Sequence, residues 1–188
     1  MNRLILTLLV CCLTLAACSN QKAQSKKYFR LPATAQAATA EPKPLTLVIK
    51  RPKALSVLGG RPMVATQADG SLVQLSHHFW LESPKVLLQD HLKQWATGRW
   101  QSVSTQVPAQ AEHQILDARI LAFEKNQQLA QVSLEFMLYD ADNRMLFSRQ
   151  YVVQHNIDGE GYRAFSRAMG LAVDQILSQL AMDLIDVQ

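Results

Sequence analysis

Leu129-Ala130-Gln131-Val132-Ser133-Leu134-Glu135-Phe136-Met137-Leu138-Tyr139 is the stretch whose reading decides the fold. Ala130, Val132, Leu134, Phe136 and Leu138 point one way and Gln131, Ser133 and Glu135 the other, the period-two pattern of a strand with one buried face. Asp140-Ala141-Asp142-Asn143 follows as a turn, where Asp is favoured because its carboxylate accepts from nearby backbone N–H groups. Residues 144–155 run back and residues 115–124 precede, so short connections predict an antiparallel meander. Beyond Asp158-Gly159-Glu160-Gly161, Tyr162, Phe165, Met169, Val173, Ile176, Leu180 and Leu184 recur at three- and four-residue steps. That spacing gives a long helix with one apolar stripe.

Toward the N-terminus, residues 101–112 read as a polar loop. Before them Ser83-Pro84 opens a first helix, with Ser83 placed to cap and Pro84 suited to the first turn. Leu87, Leu88, His91, Leu92 and Trp95 form its stripe, and Gly98 supplies a stop. His91 falls on that stripe as a structural histidine. Asp69-Gly70 between residues 62–67 and 71–76 signals a hairpin. Residues 55–60, which include Leu58, form an apolar loop, and Leu45-Thr46-Leu47-Val48-Ile49 is the first central strand. The expected domain, residues 45–188, is α+β: a mostly antiparallel sheet with two helices packed on one face, a two-layer sandwich.

The N-terminus carries a second signal. Asn2 and Arg3 precede an uncharged apolar run over residues 4–15, shorter than the roughly 20 residues a membrane span needs. Charge, short apolar core and small residues make a secretory signal over residues 1–17. Leu15-Ala16-Ala17-Cys18 looks like a bacterial lipobox, with cleavage before Cys18 and acylation of its thiol. The alternative is an ordinary signal with a cysteine nearby by chance. Cys11 and Cys12 leave with the signal, so disulfides, cysteine nucleophiles and thiolate metal sites are excluded from the mature chain. Residues 18–44 read as the lipidated cysteine and a flexible tether, interrupted by Tyr28-Phe29-Arg30-Leu31-Pro32. That cluster either covers an edge of its own domain or docks on a partner.

Net charge is +4, unevenly spread. Between Cys18 and Arg61 nine Lys or Arg face Glu41 alone, and from Pro62 onward nine face fourteen acids. Basic charge beside a lipid anchor suits anionic headgroups or a self-repelling tether, and argues against nucleic acid. No H-E-x-x-H, G-x-S-x-G or phosphate loop is present. His77-His78 would point to opposite faces of a strand, which disfavours one shared metal ion. No catalytic residue, metal or cofactor is implied. Trp100, just after Gly98, is harder to bury than Trp80 or Trp95 and is a candidate contact.

With these residues laid out, the chain resembles the ABC-type transport auxiliary lipoproteins, the family of paraquat-inducible protein C. The lipobox, Tyr28-Phe29-Arg30-Leu31-Pro32, Arg51-Pro52-Lys53-Ala54-Leu55 continuing to Arg61-Pro62-Met63-Val64, Phe79-Trp80, Ile120-Leu121-Ala122-Phe123-Glu124 and Ala168-Met169 occur in the family's order. Residues 56–60 depart from it. The resemblance implies a non-enzymatic outer-membrane lipoprotein, anchored by Cys18 on the periplasmic face. It would dock an MCE-domain protein of an inner-membrane ABC lipid transport complex, and a homo-oligomeric ring around the conduit would fit that role. Candidate partner contacts are Tyr28, Phe29, Leu31, Pro32, Leu58 and Trp100. Competing readings are a lipoprotein that activates a peptidoglycan synthase, for which the tether is short, and a lipid-binding carrier domain.

Overall fold

The computed structural model describes residues 25–34, 41–109, 112–185 and 187. The meander expected from the alternation is there. Strands β7 (His113–Asn126), β8 (Leu129–Tyr139) and β9 (Met145–Asn156) pair antiparallel in chain order. Ala130, Val132, Leu134, Phe136 and Leu138 of β8 are all fully buried on one face.

The other edge of β7 is built differently from the expectation. Strands β2 (Lys43–Ile49), β3 (Lys53–Ala54) and β4 (Pro62–Thr66) lie end to end along it, each parallel to β7. Thr46 pairs with His113 and Ile49 with Leu116, Lys53 with Arg119, and Val64 with Glu124. From Ile49 to Lys53 the chain takes four steps while β7 takes three. The extra residue sits around Pro52, which has no N–H to give a ladder. From Ala54 to Val64 it takes ten steps against four, and the surplus is a 3-10 turn, Ser56–Leu58, with Gly59 and Gly60. Strand β5 (Leu72–Trp80) returns antiparallel to β4, and β1 (Lys27–Phe29) lies parallel outside β5. Strand β6 (Trp100–Ser104) lies parallel outside β2.

The sheet is therefore mixed, with five of the eight pairings among the described residues parallel, and the mostly antiparallel expectation is corrected. The reason is topological. Alternation reports which face of a strand is buried, not which strand lies beside it. A crossover through helix α1 (Pro84–Ala96) returns the chain parallel to its own beginning. The polar loop expected over residues 101–112 likewise contains β6, an edge strand whose Gln101 and Ser102 face solvent.

Both helices share one core with the sheet. Helix α1 packs on β2 and β6, while α2 (Gly161–Asp183) lies across β8 and β9. On α2, Phe165, Met169, Val173, Ile176 and Leu180 are fully buried, as the stripe requires. Ser83 stands at the N-cap of α1, but its hydroxyl makes no capping bond. Its carbonyl accepts from the amides of Val86 and Leu87 instead. Gly98 ends α1 with φ of 82°, a left-handed conformation that any Cβ would strain. The opposite sheet face carries polar pairs such as Arg119–Glu135 and the Gln131–Gln154 bond.

Residues 25–34, assigned above to the tether, belong to the folded body. Past β1, Leu31 is buried, and His91 Nε2 lies 3.3 Å from the Leu31 carbonyl oxygen. His91 is thus the structural histidine its position on the stripe implies. Burial holds its pKa below the ordinary imidazole value, so the neutral ring places its proton on that carbonyl. The Thr34 amide donates to Asp174 Oδ2 at 2.9 Å. Between these anchors the Pro32 carbonyl crosses α2 so closely that a Cβ on Gly170 would stand 2.5 Å from its oxygen. Gly170 is a lone glycine in a helix interior, where alanine would ordinarily be favoured by about 1 kcal/mol.

Two predictions follow from this packing. Gly170→Ala will lower stability by about 1–3 kcal/mol, against its helix propensity, because the Pro32 strap must lift. Thermal melting checks the sign, and a rise in melting temperature would mean the strap does not rest on α2. Glu124, buried beside the Phe123 amide that donates to it, has its pKa raised by desolvation. A raised carboxyl means the folded chain holds a proton more readily than the unfolded one. Its contribution to stability therefore falls as pH rises through the carboxylate range. Glu124→Gln will raise the melting temperature at pH 7 more than at pH 4, measured in matched buffers.

Candidate functional site

Among the described residues the chemistry-bearing side chains lie apart from one another, and the exposed features are the rims of the sheet and the clefts around the helices. Among the described residues no group of three or more His, Cys, Asp or Glu is placed to hold a metal ion. His77 and His78 diverge: the His78 ring stacks on Tyr162 at 3.7 Å and on Phe29 at 6.1 Å. Desolvation first, then the charge of Lys27, lowers the His78 pKa. The turn carboxylates of Asp140 and Asp142 both bind Arg144, at 3.0 and 2.7 Å.

Among the described residues the sheet has free rims at β6, β1 and β9, and the last two lie on opposite sides of β7. At one, Tyr28 of β1 pairs beside Phe79 of β5, their rings 5.5 Å apart, on the face away from the core. The Arg61 guanidinium stands 5.0 Å over the Tyr28 ring, and Lys26 Nζ 5.5 Å over Phe79. Arg61 Nε also donates to the Trp80 carbonyl at 3.4 Å. Tyr28 remains 50% exposed, and Lys26, Lys27, Arg30 and Arg61 are all exposed. The rim therefore presents aromatic faces capped by cations.

The other rim is β9, paired only with β8 among the described residues and exposing Met145 and Val152. Here the charges are matched. Arg149 binds Asp183 at 2.6 Å, and the Tyr151 hydroxyl donates to the same carboxylate at 2.5 Å. These bonds clamp the end of α2 to the rim. Tyr151 is pushed well above the ordinary phenol pKa by burial and then by Asp183, whose own pKa is lowered by the Tyr151 and Arg149 bonds.

Clefts lie around the helices among the described residues, three of them distinguished by their lining. Those of about 360 and 240 Å³ flank the strap at Pro32 and Thr34, one bordered by Arg167 and the other by His91. The third, about 220 Å³, runs between Trp100, Met182 and Ile185, with Lys43 and Arg99 at its edge. Lys43 Nζ donates to the Leu184 and Val187 carbonyls and lies 5.8 Å over the Trp100 ring.

The sequence-based contact residues divide accordingly. Tyr28 is exposed, and Phe29 is half-buried against His78. Leu31 and Pro32 form the strap over α1 and α2. Leu58 is 2% exposed and Trp100 4%, so neither side chain presents a surface. Trp100 is buried because β6 pairs it beside Lys43, and its indole N–H donates to Gln114 Oε1 at 3.1 Å. Leu58 caps the core from the 3-10 turn. Arg61 and Phe79 were not singled out from sequence as contacts. The signal for Gly170 was present: an isolated glycine inside a helical stripe marks a close approach. Cys18 lies outside the described residues.

A crystal structure of protein XCC0632 from Xanthomonas campestris, assigned to family DUF330, superposes with a TM-score of 0.72 at 19% identity, covering 82% of this chain and 92% of that one. An uncharacterized protein of known crystal structure gives a TM-score of 0.70 at 17% identity, covering 85% and 99%. At such identities the likeness establishes the fold. No curated protein matches the chain. No helix among the described residues is long and apolar enough to cross a membrane. A family model described as the ABC-type transport auxiliary lipoprotein component matches residues 29–181, from the ring of β1 that stacks on His78 to the last turn of α2. The chain belongs to that family.

Proposed function

We propose that this auxiliary lipoprotein is held at the outer membrane by an acylated Cys18 and docks, without catalysis, the distal end of an MCE-domain conduit in an intermembrane lipid transport system. The observation that carries the reading is the family match over residues 29–181, almost the whole folded body. Two features support it. The described side chains form rims and shallow clefts rather than an acid–base or nucleophile constellation, as a docking module needs. Leader and lipobox at residues 1–18 supply an anchor of one site, and residue 19 is Ser rather than Asp, consistent with sorting onward to the outer membrane.

Tether length bears on the competing activator reading. Between Cys18 and the first described residue, Ser25, the chain can extend at most about 25 Å, at about 3.5 Å per residue. A regulator working across the cell wall needs far more reach. A ring of copies around the conduit is part of the proposal, with the unpartnered β9 edge available for such contacts.

Cys18→Ala will move the protein from the membrane fraction to the soluble periplasmic fraction. Wild-type protein already soluble and unaffected by globomycin would overturn the anchor. In-cell photo-crosslinking from probes at Val152 and Ile185, both exposed and away from the β1 rim, will give an adduct to an MCE-domain protein. Adducts exclusively to a peptidoglycan synthase would replace docking with activation.

A further inference from the structure

We propose that the β1 rim is a headgroup-facing surface, on which Lys26, Lys27, Arg30 and Arg61 meet anionic lipid phosphates while Tyr28 sits at the membrane interface. The inference deepens the proposed function and rests on its anchoring of Cys18, because that anchor decides which part of the domain is nearest the bilayer.

The chain enters the fold at one rim of the sheet. It joins the sheet at Lys27, in β1, the outermost strand on that side. However residues 19–24 are arranged, they cannot hold Ser25 more than about 25 Å from an acylated Cys18. A relaxed stretch of that length spans about 15 Å. In the order β1-β5-β4-β7-β8-β9, the far rim lies five strand spacings away, about 24 Å at about 4.8 Å each. The anchor therefore favours the β1 rim over the β9 rim for lipid contact.

Charge distinguishes the same two rims. Residues 18–40 contain Lys22, Lys26, Lys27 and Arg30 and no acid. Among the described residues, Lys26, Lys27, Arg30 and Arg61 join no ion pair, whereas at the far side Arg149 is paired with Asp183, and Arg144 with Asp140 and Asp142. Two of these cations share one place. Arg61 and Lys26 lie over the rings of Tyr28 and Phe79, which hold them on one patch of the outer sheet face. Basic groups within a Debye length of about 8 Å are attracted by an anionic leaflet. A half-exposed tyrosine suits the headgroup level, where its ring meets apolar chains and its hydroxyl meets water. An edge strand guarded by lysines against strand addition explains Lys26 and Lys27 alone. It does not explain the Arg61–Tyr28 and Lys26–Phe79 stacks.

The test uses the chain from Cys18, which includes every described residue, coupled through its single thiol to a maleimide-headgroup lipid in vesicles. Trp80, Trp95 and Trp100 are at most 4% exposed, so an added surface tryptophan dominates quenching by brominated lipid. Tyr28→Trp will be quenched on phosphatidylcholine vesicles containing phosphatidylglycerol and much less on phosphatidylcholine alone, with high salt reversing the difference. Val152→Trp on the far rim will stay unquenched on both. Each of Lys26→Glu, Lys27→Glu, Arg30→Glu and Arg61→Glu will lower partitioning of the uncoupled chain onto the phosphatidylglycerol vesicles about fivefold or more, the contribution of one basic residue near an anionic surface. Equal quenching at both rims, or quenching at Tyr28→Trp indifferent to phosphatidylglycerol and salt, would overturn the proposal. Because the coupling is chemical, this result is independent of whether cells acylate Cys18, which the Cys18→Ala fractionation decides separately.

Discussion

Strand β7 is held from both edges, and the rest of the sheet takes its position from that double pairing. Along one edge runs β8, paired from Ile115–Tyr139 to Asn126–Leu129. Along the other run β2, β3 and β4 in succession. Ladder pairing along both edges, with the Phe123 amide held by the Glu124 carboxylate, lets Leu116, Ile120 and Phe123 be buried with their backbone groups partnered. The parallel edge is expensive to form, because segments near residues 46 and 113 must meet before any ladder bond rewards the loop closure. Apolar burial offsets that cost: Leu47 and Ile49 from β2 enter the same core as β8 and the two helices.

The mixed topology has a structural consequence. Bringing β4 beside β7 leaves β5 outside it, and β5 in turn offers its edge to the N-terminal segment. Residues 27–34 therefore become structure: a short strand on β5, then a strap locked by His91, Gly170 and Asp174. The aromatic-Leu-Pro motif is accounted for physically by this arrangement, with Leu31 in the core and Pro32 on the bare backbone of α2. The stretch that reads as a tether thus gives up residues 27–34 to the folded body.

Those elements carried by local periodicity were legible from sequence. The alternation of β8, the stripe of α2, the Asp-Gly hairpin and the start of α1 at Pro84 all stand where the pattern placed them. Partner choice between strands was not legible, because β2 has the same apolar composition whichever neighbour it finds. Nor was β6, whose Gln101, Ser102 and Ser104 give an edge strand no apolar signature. Trp100 reads as exposed only while β6 is a loop, and Leu58 reads as a loop residue until the 3-10 turn folds it inward. The basic excess before Arg61 was visible in composition. Its gathering onto one rim was not, since Arg61 reaches Tyr28 only through the pairing of β4, β5 and β1.

The orientation proposed for the domain requires the N-terminal segment to be part of the folded body. Native-state hydrogen exchange of the chain from Cys18 measures this directly, at the β1 amides and at Leu81, whose N–H donates to the Phe29 carbonyl at 2.7 Å. Protection there within the range shown by the interior of α2 is the predicted result. Exchange of those amides at free-chain rates, with α2 and β7 protected, would show that β1 and the strap are not held, and the proposed orientation of the domain would lose its basis.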